Sequence, residues 1–286
     1  MKYNKLLIFN FLCMALLSLT ACQNAASQEK NAAAQPEIVE ISPPEVSEPP
    51  VAYAAAPRLE EAFTLEYLTG KFNPAEHPDF VRIAPPYADN NERFLRKDAY
   101  DAFRQMHAAA LRDGIRLTII SATRNFEAQK GIWEAKWTGA RLVDGADLSK
   151  TIADPRRRAL KILEYSSMPG TSRHHWGTDI DINNLNDAHF LTGEGRKTYE
   201  WLRAHAHAYG YCQPYSPQGG ERPYGYFEEK WHWSYLPVAR KLTRLAQEQL
   251  RDELITGFKG AEAAQSIGVV AKYVLGINQE CLPEQE

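Results

Sequence analysis

Cysteine is scarce in this chain: four residues among 286, at positions 13, 22, 212 and 281. That is too few, and too scattered, for cross-links to carry the fold. Blocks of basic residues are also missing, and the formal net charge is −3. A mildly acidic chain without basic runs is a poor partner for nucleic acid, so none is expected. No Gly-x-Ser-x-Gly segment occurs, and no cysteine carries an obvious histidine partner, which argues against a serine or cysteine nucleophile. No internal repeat is visible, and beyond the N-terminal stretch no second shift of composition divides the chain.

What the N-terminus does contain is specific. Lys2 and Lys5 precede an apolar stretch from Leu6 to Leu19, of signal-peptide length and short for a spanning helix. It ends in Leu19-Thr20-Ala21-Cys22, which resembles a bacterial lipobox. The expectation is a lipoprotein signal over 1–21, cleaved before a lipidated Cys22. A lipid on Cys22 means a protein anchored to the membrane, with no span of its own. Gln23 after the cysteine leans toward the outer membrane by the same resemblance, with the protein facing the periplasm. Loss of 1–21 removes two lysines and takes the net charge from −3 to −5. Residues 22–57, rich in Ala, Pro, Glu and Gln, read as a tether that cannot bury a core. Residues 58–250 then read as one domain and 251–286 as a helical extension packed on it. In an oxidising compartment Cys212 and Cys281 are expected to form a disulfide.

Periodicity predicts helices over 97–112, 126–137, 155–165, 196–209 and 236–254, with a further one before 275. The first places Tyr100, Phe103, Met106, Ala110 and Leu111 near one stripe. Strands are predicted over 115–121, 178–183 and 230–235. Helices alternating irregularly with a few short strands suggest an α+β fold, a small antiparallel sheet with helices packed around it.

Two segments carry the chemistry: Ser172-Arg-His-His-Trp-Gly-Thr-Asp-Ile-Asp181 and Glu229-Lys-Trp-His232. Two imidazoles and one carboxylate, with a position left for water, are a recurrent set for catalytic zinc. A spare glutamate is what a hydrolase needs to take a proton from that water. Thr178-Asp-Ile-Asp-Ile-Asn183 alternates strictly, so Ile180 and Ile182 face one side of a strand and Asp179 and Asp181 the other. Either aspartate reaches a metal on that side, and physics does not choose between His174 and His175. Glu229 has the opposite strand parity to His232 and joins the same site only if the chain turns before the strand.

The spacing Ser172-x-His174-x-x-Gly177-x-x-x-Asp181, followed by Glu229-x-Trp231-His232, resembles the VanY-type zinc D-alanyl-D-alanine carboxypeptidases of the LAS metallopeptidases. The resemblance covers about 93–240. It implies a LAS or hedgehog-like metallopeptidase fold and one zinc ion per chain. The ligands it implies are His174, Asp181 and His232, and the base Glu229. One departure is visible: Asp179 stands where the family usually has a small residue, which adds negative charge beside the metal.

Ser121-Ala-Thr-Arg124-Asn-Phe-Glu-Ala-Gln129 resembles the family segment Ser-Gly-Tyr-Arg-Ser-x-x-x-Gln, with Ala122 and Thr123 departing from it. The match implies that Arg124 binds substrate and steadies the reacting group, with Gln129 and Ser172 on the substrate side. A guanidinium suits a peptide carboxylate or an oxyanion. The implied activity is removal of a terminal D-Ala from a peptidoglycan stem peptide by a lipid-anchored monomer. An L,D-carboxypeptidase or a cross-link endopeptidase would use the same motifs. A binding-only wall protein is the rival from another class, and the intact Glu229 argues against it.

Overall fold

The computed structural model describes residues 63–89 and 91–283. The signal, Cys22, the whole tether and residues 58–62 of the expected domain lie outside the described residues. Among those described, no helix is long and apolar enough to cross a membrane.

The helices are α1 (Leu65–Leu68), α2 (Lys97–Arg112), α3 (Phe126–Trp137), α4 (Leu148–Thr151), α5 (Pro155–Ile162), α6 (Gly193–His205), α7 (Leu236–Gln249) and α8 (Ala263–Ile267). The strands are β1 (Phe80–Arg82), β2 (Phe94–Arg96), β3 (Ile119–Ser121), β4 (Asp179–Ile182), β5 (Tyr211–Cys212) and β6 (His232–Tyr235). A β1–β2 pair stands apart from a four-stranded antiparallel sheet in the order β3-β4-β6-β5. The fold is α+β, as the alternation of elements suggests.

The β4–β6 register positions the site. Asp179 pairs with Ser234, Ile180 with Trp233, and Asp181 with His232. Alternation then sorts the pairs into two rows. The apolar row, Ile180, Ile182 and Trp233, joins Phe103, Met106, Leu202 and Tyr211 in one core beneath α2 and α6. The polar row turns to the other side, and every residue of β4 is buried. The acidic face is therefore interior, not a solvated outer face. A second core joins Trp133, Ile162, Trp176, Leu242, Ile267 and Val269, from α3, α5, α7, α8 and the loops between.

Local chemistry explains the helix limits. Asn125 caps α3 by accepting from the Ala128 amide at 2.9 Å, and Asp154 caps α5, which begins with Pro155. α2 ends where Gly114, at φ 75°, lets the Ile115 amide reach the Ala110 carbonyl at 2.8 Å. Leu111 falls at the edge of the α2 stripe and is 52 % exposed.

Three expectations need correction. The strand over 115–121 shortens to 119–121. Asn183, at φ 63°, turns the chain out of β4, and its side chain takes the Thr118 amide at 2.7 Å and donates to the Arg116 carbonyl at 2.8 Å. The Asn183 amide also donates to the Thr118 carbonyl at 2.9 Å, and the side-chain bonds stand where the rest of a ladder would be. The strand over 230–235 begins only at His232, because residues 229–232 form a turn with the His232 amide on the Glu229 carbonyl at 3.2 Å. The helices over 155–165, 196–209 and 236–254 close earlier in α geometry, at Ile162, His205 and Gln249.

The C-terminal segment carries α8 and buries Ile255, Phe258, Ile267, Val270 and Ile277 in the second core. Cys212 and Cys281 form a disulfide, 69 residues apart in sequence, which ties this tail to β5. Closing so long a loop restricts the unfolded chain. Cys281→Ser is expected to cost about 2–5 kcal/mol of stability. A urea midpoint that does not move in the variant would contradict this.

Candidate metal centre

His174 lies in a tight 3-10 turn, Arg173–Trp176, that ends at Gly177 with φ 71°. A Cβ at Gly177 would sit 2.3 Å from Phe80, so both the turn and the close approach require glycine. The chain then enters β4, and Asp181 meets His232 across the ladder.

The imidazoles are oriented by bonds on their far nitrogens. His174 Nδ1 lies 2.8 Å from the Ala122 carbonyl. A carbonyl only accepts, so Nδ1 carries the proton and Nε2 is left as a lone pair. His174 Nε2 is 3.4 Å from Asp181 Oδ1. His232 Nε2 is 2.8 Å from Asp179 Oδ2, which leaves Nδ1 facing inward, 3.3 Å from Asp181 Oδ1 and 3.2 Å from Glu229 Oε2. One ligand atom each from His174, Asp181 and His232 lie within 4.8 Å of one another, all buried.

This donor set fits a metal ion. Asp181 Oδ1 is buried and has no hydrogen-bond partner among the described residues. A buried carboxylate oxygen without a donor is costly unless a cation meets it. The acids around His232 favour a positive charge there. Burial opposes a charge on His232, but Asp179, Asp181 and Glu229 outweigh it and push that imidazole well above its usual range. Burial and the Arg124 guanidinium hold His174 down. Burial raises the Glu229 carboxyl, with His232 opposing.

Both open choices are resolved by contacts. His175 takes the Gly170 amide on Nε2 at 3.0 Å and meets the Arg124 carbonyl through Nδ1 at 2.6 Å. Both nitrogens are used, and burial pushes its pKa down to about 3. His175 is a neutral clamp on the Arg124 loop. Asp179 is fully buried and accepts from Arg173 Nε at 3.1 Å, Ser234 Oγ at 2.8 Å and Thr178 Oγ1 at 2.6 Å, besides His232. Burial favours its neutral form, but Arg173 and His232 prevail and hold the carboxyl well below the usual range. Asp179 orients a ligand from behind, a recurrent arrangement at metal sites. Its strand parity signalled closeness to the site, but not this role. The partner Arg173, fully buried, gave no signal in the sequence.

Glu229 reaches the centre through the turn that delays β6, which removes the parity conflict. Arg124 donates to Ser121 Oγ at 2.6 Å and Gln129 Oε1 at 3.0 Å, and lies 3.6 Å from Asp181 Oδ2. Gln129, 1 % exposed, also donates to the Ser167 carbonyl at 2.8 Å. It stands behind Arg124 with both ends of its amide engaged. Ser172 is buried, and its hydroxyl has no partner among the described residues. Arg124, Glu229 and the three metal-facing residues line one cleft of about 420 Å³. Tyr215, whose ring stacks edge-on to His232 at 4.7 Å, lines it too and was not singled out from the sequence.

Residues 92–238 match the family model described as VanY, D-alanyl-D-alanine carboxypeptidase. The chain is similar to YodJ of Bacillus subtilis, 28% identical over 163 residues, 55% of this chain and 51% of YodJ. It is also similar to a D-alanyl-D-alanine carboxypeptidase of Enterococcus faecalis, 27% identical over 150 residues, 52% of this chain and 50% of the relative. The chain thus spans about half the length of these curated relatives. Among solved structures, the LdcB LD-carboxypeptidase aligns at 27% identity and a TM-score of 0.43, covering 60% of this chain and 74% of LdcB.

The Asp179 contacts lead to a test. Asp179→Asn is expected to weaken divalent-cation affinity by on the order of 10- to 100-fold, read by competition with a chelating dye. An unchanged affinity would remove Asp179 from the centre.

Proposed function

Because the chain belongs to the VanY family of D-alanyl-D-alanine carboxypeptidases, we propose that it is a zinc-dependent peptidase that removes the terminal D-Ala from peptidoglycan stem peptides. The supporting observation is the unpartnered Asp181 Oδ1, set between His174 Nε2 and His232 Nδ1 with Glu229 beside them. Two imidazole nitrogens and one carboxylate are the donor set of catalytic zinc sites that keep a position open.

His174, Asp181 and His232 would hold the ion. Bound zinc would lower the pKa of a water and polarise the scissile carbonyl. Glu229 is placed to take the proton from that water and return it to the leaving amine. Its burial raises its pKa and suits it to hold a proton between those steps. Arg124 is fixed on one side by Ser121 and Gln129 and lies in the cleft beside Asp181, where it meets the substrate carboxylate or the oxyanion. Gln129 positions Arg124, and the free Ser172 hydroxyl is available as a hydrogen-bonding group near the site.

The working unit in this reading is a monomer. In this reading residues 58–250 are the peptidase and 22–57 the tether, with lipid on Cys22 holding the enzyme to the outer membrane and facing the wall. Cys22→Ser is expected to move the protein from the membrane to the soluble fraction. Retention of the variant in washed membranes would remove the anchor.

Digestion of purified muropeptides with mass readout tests the activity. Loss of one terminal D-Ala from pentapeptides supports the D,D reading. Loss from tetrapeptides would show the L,D bond, and separation of dimers a cross-link endopeptidase. Glu229→Ala is expected to slow release by about 10²- to 10⁴-fold. Undiminished release in that variant, or in thoroughly chelated enzyme, would refute the mechanism.

A further inference from the structure

The cleft carries a second cationic region that the chemistry above does not use. Gln129, Ile132 and Lys136 lie on one face of α3 and all line it. Seven residues separate Gln129 from Lys136, so Lys136 stands about 10 Å further along the helix. Its ammonium donates to Ser166 Oγ at 2.5 Å. No carboxylate lies within ion-pair distance of it among the described residues, and the side chain is half-buried. Arg141, on the same cleft, is exposed and likewise has no acidic partner among them.

The acids of this cleft face other partners. Asp144 pairs with Lys161 at 2.6 Å, Asp187 with Lys230 at 2.7 Å, Glu229 lies 3.2 Å from His232 Nδ1, and Asp181 faces the metal centre. Burial, Arg141 and Arg124 bring the Lys136 ammonium down to about 8, with Glu229 and Asp144 pulling the other way. An ordinary surface lysine would extend into water and avoid this cost. An ammonium kept half-dry beside like charges is relieved when an anion arrives.

We propose that Lys136, backed by Arg141, forms a carboxylate-binding subsite that takes a carboxylate of the peptide substrate and selects peptides that carry it. The inference rests on the peptidase reading and deepens it. Arg124 serves the reacting end of the substrate beside Asp181. Lys136 serves a carboxylate further along α3. Three carboxylates of a stem peptide share this chemistry: the terminal one, the free α-carboxylate of its isoglutamyl residue, and the side-chain carboxylate where the third residue is a diaminopimelate.

The test uses four synthetic diaminopimelate stem pentapeptides: one with all carboxylates free, and three in which the isoglutamyl, the diaminopimelate side-chain or the C-terminal carboxylate is a carboxamide. Turnover is measured for the wild type, Lys136→Met, Lys136→Arg and Arg141→Gln. Affinity is measured by calorimetry in the Glu229→Ala background, where the peptide is not consumed. Lys136→Met is expected to lose on the order of 10- to 100-fold in kcat/KM on the free peptide, chiefly through KM. It is expected to become indifferent to one of the three amidations, and the arm that flattens identifies the carboxylate. Lys136→Arg is expected to restore most of the loss. Arg141→Gln, at an exposed position, is expected to show a smaller loss in one amidation arm, and it carries the test should the Lys136→Met protein not fold. The inference is overturned if the Lys136 and Arg141 variants discriminate between the peptides as the wild type does. If the wild type cuts none of the peptides, the peptidase reading fails, and the affinities still decide the subsite.

Discussion

One buried carboxylate organises the centre of this protein. Asp179 is closed from solvent and gathers Arg173, Thr178, His232 and Ser234 around its two oxygens. These partners come from the turn before β4, from the residue that leads into it, and from β6. Arg173 also reaches Thr243 of α7 at 3.0 Å and lies over the Trp176 ring. A charge pair so deep in the protein returns little net stability against its desolvation. What it supplies is geometry. An unpaired Asp179 or Arg173 would be strongly unfavourable, so other registers of β4 on β6 are penalised. The register that satisfies Asp179 is the one that sets Asp181 opposite His232.

The rest of the site hangs on that register through backbone contacts. The Ala122 carbonyl fixes the tautomer of His174, and the Arg124 carbonyl is gripped by His175. The loop after β3 is thus pinned at two points by neighbouring histidines of one turn. Arg124 inherits its position from those pins and from Gln129. Catalytic groups held this way lose little freedom when a substrate arrives. The second core and the disulfide brace the far side, where β5 pairs with β6.

Much of this was legible along the chain. The long helices α2 and α3 follow from apolar spacing. The strict alternation of β4 announced one apolar and one acidic face. Short elements were not legible. β1, β2 and β5 hold two or three residues each, too few for a period to show. The late start of the predicted 115–121 strand depended on Asn183, whose side chain takes the Thr118 amide and the Arg116 carbonyl, a tertiary event.

At the centre the division is sharper. The sequence by itself determined the inventory: two histidine-bearing segments, acids on one strand face and a glutamate before the last histidine. It did so because residue type and strand parity are local properties. Tertiary structure decided which member of each pair does what. His174 and His175 are adjacent, yet one turns a lone pair to the centre and the other spends both nitrogens on the backbone. Asp179 and Asp181 share a face, yet Asp179 meets Arg173 and Ser234 while Asp181 keeps an oxygen free. Those differences arise from groups tens of residues away, and only the folded chain brings them within hydrogen-bonding distance.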